Sequence, residues 1–177
     1  MQLSALGASV IAVEREAGRL QRLAANIERT KLKATLICAD ARDFRPDAPA
    51  PFVLLDAPCT ATGTIRRHPD MPWIKSASDV TYCEQAASEL LTTAADMVAE
   101  RGTLVFAVCS LEREEGVEQI ENFLRLQKDF AREKLTERDV FGHREWISPE
   151  GDFRSLPCHL ADRGGMDGFY AAKLRRL

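Results

Sequence analysis

The stretch FVLLDAPC, residues 52–59, is the clearest indication of the fold class, because it leads an apolar strand directly into an acid, a proline and a cysteine. A second stretch, GTLVFAVC at residues 102–109, again ends an apolar run in a cysteine. Runs of this kind, rich in β-branched and aromatic residues, are typical of buried strands. Side chains that follow parallel strands collect at one edge of the sheet, where α/β proteins bind ligands. The two cysteines therefore indicate where a site would lie.

Strands and helices alternate along the chain, which predicts an α/β fold with a mostly parallel sheet. We place strands at residues 9–14, 34–39, 52–56 and 102–108. Amphipathic helices are predicted at residues 16–32, 79–101 and 114–126. The second helix is expected to be N-capped by Ser78 or Asp79 and to end at Gly102. An irregular link after residue 127 precedes a final strand in DGFYAAKLRR, residues 167–176.

The composition indicates one globular domain over residues 1–177. Hydrophobic residues make up 45% of the chain and the net charge is -3, which argues against nucleic-acid binding through bulk positive charge. The five cysteines form no C-x-x-C pair, so the sequence predicts neither a disulfide framework nor a metal site. No signal segment and no run of about 18 apolar residues is present, which predicts a soluble, cytoplasmic protein that does not bind a membrane.

The first residues predict an unusual start for such a fold. Residues 1–8, MQLSALGA, are typical of a helix tail that ends at Gly7 and leads straight into a strand. In a doubly wound fold a strand and a Gly-rich turn precede such a helix. We therefore expect a fold that is truncated at its amino end.

Acids end three successive predicted strands: Glu14, Asp40 and Asp56. A carboxylate in the position of Glu14 can accept hydrogen bonds from both hydroxyls of a ribose. Alternatively, the positive end of the following helix dipole simply stabilises its negative charge. Asp is also common in the turns that leave strands. Three successive acids are more informative than any one of them, and the pattern leaves both a shared ligand pocket and chance open.

The loop after residue 56 carries both a thiol and positive charge. Pro58 fixes its own φ and restricts Ala57, so Cys59 is presented from a stiff backbone. Arg66 and Arg67 suit phosphate recognition, although such a cluster more often belongs to an exposed, solvated loop.

Cys109 follows a strand that is apolar at every position after Thr103. A free cysteine in such a place is more often an inert core residue than a nucleophile. Its position at the strand end, with a helix expected to begin within a few residues, favours a stabilised thiolate.

At these two cysteines the sequence resembles the Sun/Fmu-type RNA cytosine-5 methyltransferases, the S-adenosylmethionine-dependent family of bacterial ribosomal RNA methyltransferase B. The motifs that carry the resemblance are DAPCTATGTIRRHPD, FAVCSLEREEG and DGFYAAKL, together with VIAVEREAGRLQRLAANIERTKL and LICADARDF. The resemblance implies a Rossmann-like class I methyltransferase fold with an antiparallel terminal strand. The family's Gly-rich first cofactor motif is absent from this sequence.

The resemblance also implies a role for each candidate residue. Cys109 would attack C6 of a cytosine in RNA, and Cys59 would assist release of the methylated product. The resemblance to the bacterial enzyme implies ribosomal RNA as the partner. Asp56 would lie between the methionine end of S-adenosylmethionine and the base. Glu14 would bind the cofactor's ribose hydroxyls and Asp40 its adenine side.

Two alternatives remain beside this interpretation. The chain could be a noncatalytic methyltransferase remnant with residual RNA or partner binding. Cys59 and Cys109 could also form a thiol-disulfide switch.

Overall fold

The computed structural model describes residues 1–177 and divides them into two compact units, Met1–Pro46 and Asp47–Leu177. The first unit contains α1 (Gln2–Ala5), β1 (Ile11–Glu14), α2 (Ala17–Thr30) and β2 (Thr35–Cys38). Strands β1 and β2 pair in parallel, with Glu14 opposite Cys38. Gly7 has a φ of +90° between α1 and β1, a backbone conformation that favours glycine. The predicted end of the first helix near Gly7 is therefore confirmed.

The second unit is built on a five-stranded sheet. Its elements are β3 (Ala50–Asp56), α3 (Met71–Ile74), α4 (Ala77–Asp96), β4 (Val98–Val108), α5 (Val117–Leu126), β5 (Phe130–Arg132), β6 (Phe153–Ser155) and β7 (Phe169–Arg176). The sheet has the order β3-β4-β7-β5, and β6 also pairs with β7. Strands β3 and β4 are parallel, whereas β7 runs antiparallel to β4. The predicted α/β class and the antiparallel terminal strand are confirmed.

Strand β4 forms the centre of the apolar core. Its side chains Leu104, Phe106 and Val108 are fully buried. The same core contains Leu91 of α4 and Ile120 of α5, so these helices cover the sheet. Residues that follow β3 and β4 are therefore attached to a rigid support. None of the helices combines the length and the apolar character needed to cross a membrane.

The predicted boundaries of α4 were wrong at both ends. The helix begins at Ala77, because the backbone N–H and the hydroxyl of Ser76 both donate to the Asp79 carboxylate, at 2.9 and 2.6 Å. It ends at Asp96, before Gly102, because the buried Val98 already pairs with Ala50 in the sheet.

Two further differences concern the second half of the chain. Helix α5 begins at Val117, three residues later than predicted, so it starts well beyond Cys109. The short strands β5 and β6 were not predicted, since each has three residues and pairs with the distant strand β7.

Candidate active site

The register of β3 and β4 brings Cys59 and Cys109 together. Asp56 lies opposite Ala107 in the parallel pair, and the Ala57 N–H still donates to the Ala107 carbonyl at 2.9 Å. Both strands therefore end at the same edge of the sheet, and their next residues leave side by side. The two Sγ atoms lie 3.6 Å apart, and both thiols are half-buried.

The two thiols titrate very differently. The hydrogen bond from the Cys59 thiol lowers the pKa of Cys109 to about 7, against the opposing effects of burial and of the charges on Asp56 and Glu115. The same hydrogen bond, together with burial, raises the pKa of Cys59 far above its ordinary value. The hydrogen bond between the two thiols therefore favours ionisation of Cys109 and opposes ionisation of Cys59. A thiolate at Cys109 stays a prediction; the helix expected to begin within a few residues of it starts at Val117, whereas the Cys59 thiol lies beside it.

Backbone contacts through Gly63 fix the distance between the two cysteine loops. The Gly63 N–H donates to the Cys109 carbonyl at 3.0 Å, and the Gly63 carbonyl accepts from the Gly168 N–H at 2.8 Å. A Cβ atom at Gly63 would lie 1.9 Å from the Gly168 carbonyl oxygen. Only glycine permits this approach, which joins the sequence motifs around residues 59, 109 and 168.

Arg154 supports the loop after Cys109, and sequence reasoning missed it. Its guanidinium donates to the carbonyl oxygens of Ser110 and Leu111, at 3.0 and 2.7 Å. The Leu111 N–H in turn donates to the Thr62 hydroxyl at 2.9 Å, which links this loop to the Cys59 loop. No local sequence pattern distinguishes Arg154 from the other arginines of the irregular segment.

Glu115 was also missed, although it lies in the quoted EREEG motif. It is a fully buried carboxylate, and it accepts the N–H and the hydroxyl of Thr60, both at 2.7 Å. Three glutamates stand close together in that motif, and only the tertiary fold determines which of them is buried.

Arg66 and Arg67 form ion pairs within the protein. Their guanidinium groups lie 3.4 and 2.6 Å from the two carboxylate oxygens of Asp167, and Arg66 also donates to the Gly164 carbonyl at 2.8 Å. About half of each arginine side chain stays exposed. The two arginines therefore connect the loop after Cys59 to Asp167, and their exposed parts can still contact a ligand.

The three predicted acids are divided between the units. Asp56 ends β3 beside the cysteines, in the second unit. Glu14 belongs to the first unit, where it accepts the Glu16 N–H at 2.9 Å and pairs with Arg19 at 3.2 Å.

Asp40, also in the first unit, binds its neighbour Arg42. The Arg42 side chain donates to both carboxylate oxygens, at 3.0 and 2.7 Å. These hydrogen bonds hold the pKa of Asp40 well below its ordinary value.

Known structures place this architecture among the Rossmann-like methyltransferases. NSun6 from Pyrococcus horikoshii with SFG is 26% identical, with a TM-score of 0.77 over 95% of this chain and 41% of that protein. A methyltransferase homologue from the same organism is 25% identical, with a TM-score of 0.73 over 96% of this chain and 53% of that one.

The chain belongs to the 16S rRNA methyltransferase RsmB/F family, whose family model matches residues 1–175. It is 37% identical to ribosomal RNA small subunit methyltransferase B of Pasteurella multocida and 40% identical to that of Pseudomonas putida. Each match covers 96% of this chain and 37% of the relative. The chain thus spans little more than a third of the length of these curated relatives.

Proposed function

We propose that this chain is the catalytic part of a cytoplasmic RNA methyltransferase that transfers a methyl group from S-adenosylmethionine to C5 of a cytosine. The proposed substrate is ribosomal RNA, as the names of the relatives suggest. Residues 1–177 would act together as part of one catalytic domain. The reaction would proceed through a covalent bond between Cys109 and C6 of the base.

One observation carries this proposal: two cysteine thiol groups lie 3.6 Å apart at the ends of adjacent parallel strands. A methyltransferase that modifies an exocyclic nitrogen needs no thiol. Carbon 5 of cytosine, in contrast, has too little electron density until a nucleophile adds to C6. A cysteine with a pKa of about 7 is half ionised at neutral pH, which suits this nucleophilic role.

The two thiols would act in sequence on the base. Addition of Cys109 Sγ forms the C6–S bond and moves the π electron pair to C5, which then accepts the methyl group. Removal of the C5 proton by a base restores the C5–C6 double bond, and the C6–S bond breaks to return a Cys109 thiolate. The Cys59 thiol lies 3.6 Å from that sulfur, where it would donate a hydrogen bond to the leaving thiolate and favour release.

S-adenosylmethionine, when bound, supplies an electrophilic methyl group on a sulfonium sulfur. Each carboxylate oxygen has more than one lone pair, so the Glu14 carboxylate can accept ribose hydroxyls in addition to its present donors. Asp56 would lie near the methionine end and the base, and Asp40 near the adenine. The half-exposed guanidinium groups of Arg66 and Arg67 would contact the RNA backbone.

A methyl-transfer assay tests the proposal. The chain is incubated with ribosomal RNA and isotopically labelled S-adenosylmethionine, and the modified nucleosides are identified by mass spectrometry. We expect labelled 5-methylcytidine from the wild-type chain and none from Cys109→Ala, because the C6 adduct cannot form. Cys59→Ala is expected to accumulate a denaturant-resistant protein–RNA adduct, because release is impaired.

Cys158→Ala is the matched control, since Cys158 is an exposed thiol. It should methylate RNA at the wild-type rate. Unchanged transfer by Cys109→Ala, or no 5-methylcytidine from the wild-type chain, would refute the proposed function.

A further inference from the structure

Glu115 is a buried acid that lies outside the roles assigned above. Both Glu115 and Thr60 are completely buried, and the carboxylate uses one oxygen for the Thr60 N–H and the other for the Thr60 hydroxyl. Both hydrogen bonds are 2.7 Å long. Burial of a carboxylate is costly unless such bonds compensate for lost hydration. The placement therefore fixes Thr60 firmly.

Fixing Thr60 also fixes Cys59. The Thr60 N–H belongs to the peptide unit that joins the two residues, so a hydrogen bond to it sets the plane that follows Cys59. On the other side, the ring of Pro58 restrains the preceding backbone. Cys59 is thus held from both sides, and its Sγ lies 3.6 Å from Cys109 Sγ.

We infer that Glu115 is a positioning residue, which acts through Thr60 to hold the Cys59 thiol against Cys109. The inference rests on the proposed function for the reaction that the thiols perform. The test of the inference does not depend on the proposed function, because it measures the reactivity of the Cys109 thiol.

The charge of Glu115 and its position have opposite effects on Cys109. Glu115 and Asp56 are the acids that oppose ionisation of Cys109, whereas the Cys59 hydrogen bond favours it. Burial, followed by the charge of Glu115, raises the pKa of the Cys83 thiol of α4. A substitution that removes only the charge of Glu115 should therefore lower the pKa of Cys109. A substitution that also releases Cys59 should raise that pKa.

Glutamine separates the two effects. In Glu115→Gln the amide oxygen still accepts the Thr60 N–H and the amide nitrogen donates to the Thr60 hydroxyl, which can accept. The thiol stays in place and the negative charge is gone. Glu115→Ala removes the charge and both hydrogen bonds together.

The experiment measures the alkylation rate of Cys109 by iodoacetamide against pH, with mass spectrometry of the labelled peptide. For Glu115→Ala we expect the midpoint to rise by about one pH unit or more, because the Cys59 hydrogen bond is lost. For Glu115→Gln we expect a midpoint equal to or below that of the wild-type chain. Glu114→Ala, which removes an exposed neighbouring acid, is the control and should leave the midpoint unchanged.

Equal midpoints for the Ala and Gln variants would overturn the inference, since charge alone would then explain both. Thr60→Val provides a second test if Glu115→Ala does not fold, because it removes one of the two hydrogen bonds and keeps the size of the side chain. Its midpoint should lie above that of the wild-type chain, and a midpoint at or below it would also overturn the inference. If the midpoints behave as expected but no methyl transfer occurs, the proposed function fails and the positioning role stands.

Discussion

Replacing Cys59 with alanine isolates the hydrogen bond that makes Cys109 a thiolate. The pKa of Cys109 is about 7 in the presence of that bond, against an ordinary value of 9.0. Without Cys59 the opposing effects of burial, Asp56 and Glu115 remain, so the pKa should return to 9.0 or above. At pH 7 the thiolate share of Cys109 would then fall from about one half to about 1%, roughly 50-fold.

The rate of alkylation falls less than the thiolate share. The nucleophilicity of a thiolate rises with its pKa, with a Brønsted coefficient of about 0.4–0.5. A pKa that is about two units higher therefore makes each Cys109 thiolate about 8-fold more reactive. We therefore expect Cys59→Ala to slow alkylation of Cys109 by about 6-fold at pH 7. Above about pH 8 the order should reverse, and near pH 10 the variant should react about 7-fold faster than the wild-type chain.

Peptide-resolved mass spectrometry after timed iodoacetamide labelling measures both limbs of this profile. Cys158→Ala serves as the control and should retain the wild-type profile. A Cys109 midpoint that stays near pH 7 in Cys59→Ala would contradict the argument, because a different group would then stabilise the thiolate.

Two further predictions concern stability, measured by urea unfolding. Gly63→Ala should lower the free energy of unfolding by at least about 3 kcal/mol, because its Cβ would meet the Gly168 backbone. The control Gly18→Ala has open space around its Cβ in α2 and should raise the free energy of unfolding by about 0.5–1 kcal/mol. A stable Gly63→Ala would contradict the close approach of the loops. Tyr170→Phe should lower the free energy of unfolding by about 1–3 kcal/mol, because the buried Asp152 carboxylate loses a hydroxyl donor 2.5 Å away. A decrease of less than about 0.5 kcal/mol would contradict this contribution.

The sequence predicted those parts of the fold that local pattern determines. The apolar runs at 52–56 and 102–108 became β3 and β4. Most of the run in β4 is buried, as expected for an interior strand, whereas β3 ends the sheet order and its Phe52 and Leu54 side chains are exposed, so the prediction of a buried strand was wrong for β3. Strands β5 and β6 left no such signal, since three residues are too few to show periodicity and their pairing partner β7 is distant in sequence.

The same limit applies to the site. Both cysteines could be recognised, because each follows a strand directly and motif resemblance pointed to them. The supports of these cysteines could not be recognised: Glu115 and Arg154 act on residues 55 and 43 or 44 positions away in the chain. Their roles depend on which buried groups remain unsatisfied after the sheet has formed, and no local pattern contains that information.

The structure also distinguishes two cysteines that look equivalent in sequence. Cys59 is held between Pro58 and the immobilised Thr60, whereas Cys109 follows β4 directly, with its carbonyl bound by Gly63. The donor is therefore fixed, and it stays protonated because it faces a thiolate. On the proposed mechanism, formation of the C6–S bond removes that thiolate charge and weakens the hydrogen bond that raises the pKa of Cys59. Cys59 then becomes more acidic once the adduct exists, so its proton is available at the stage when the departing sulfur needs a donor.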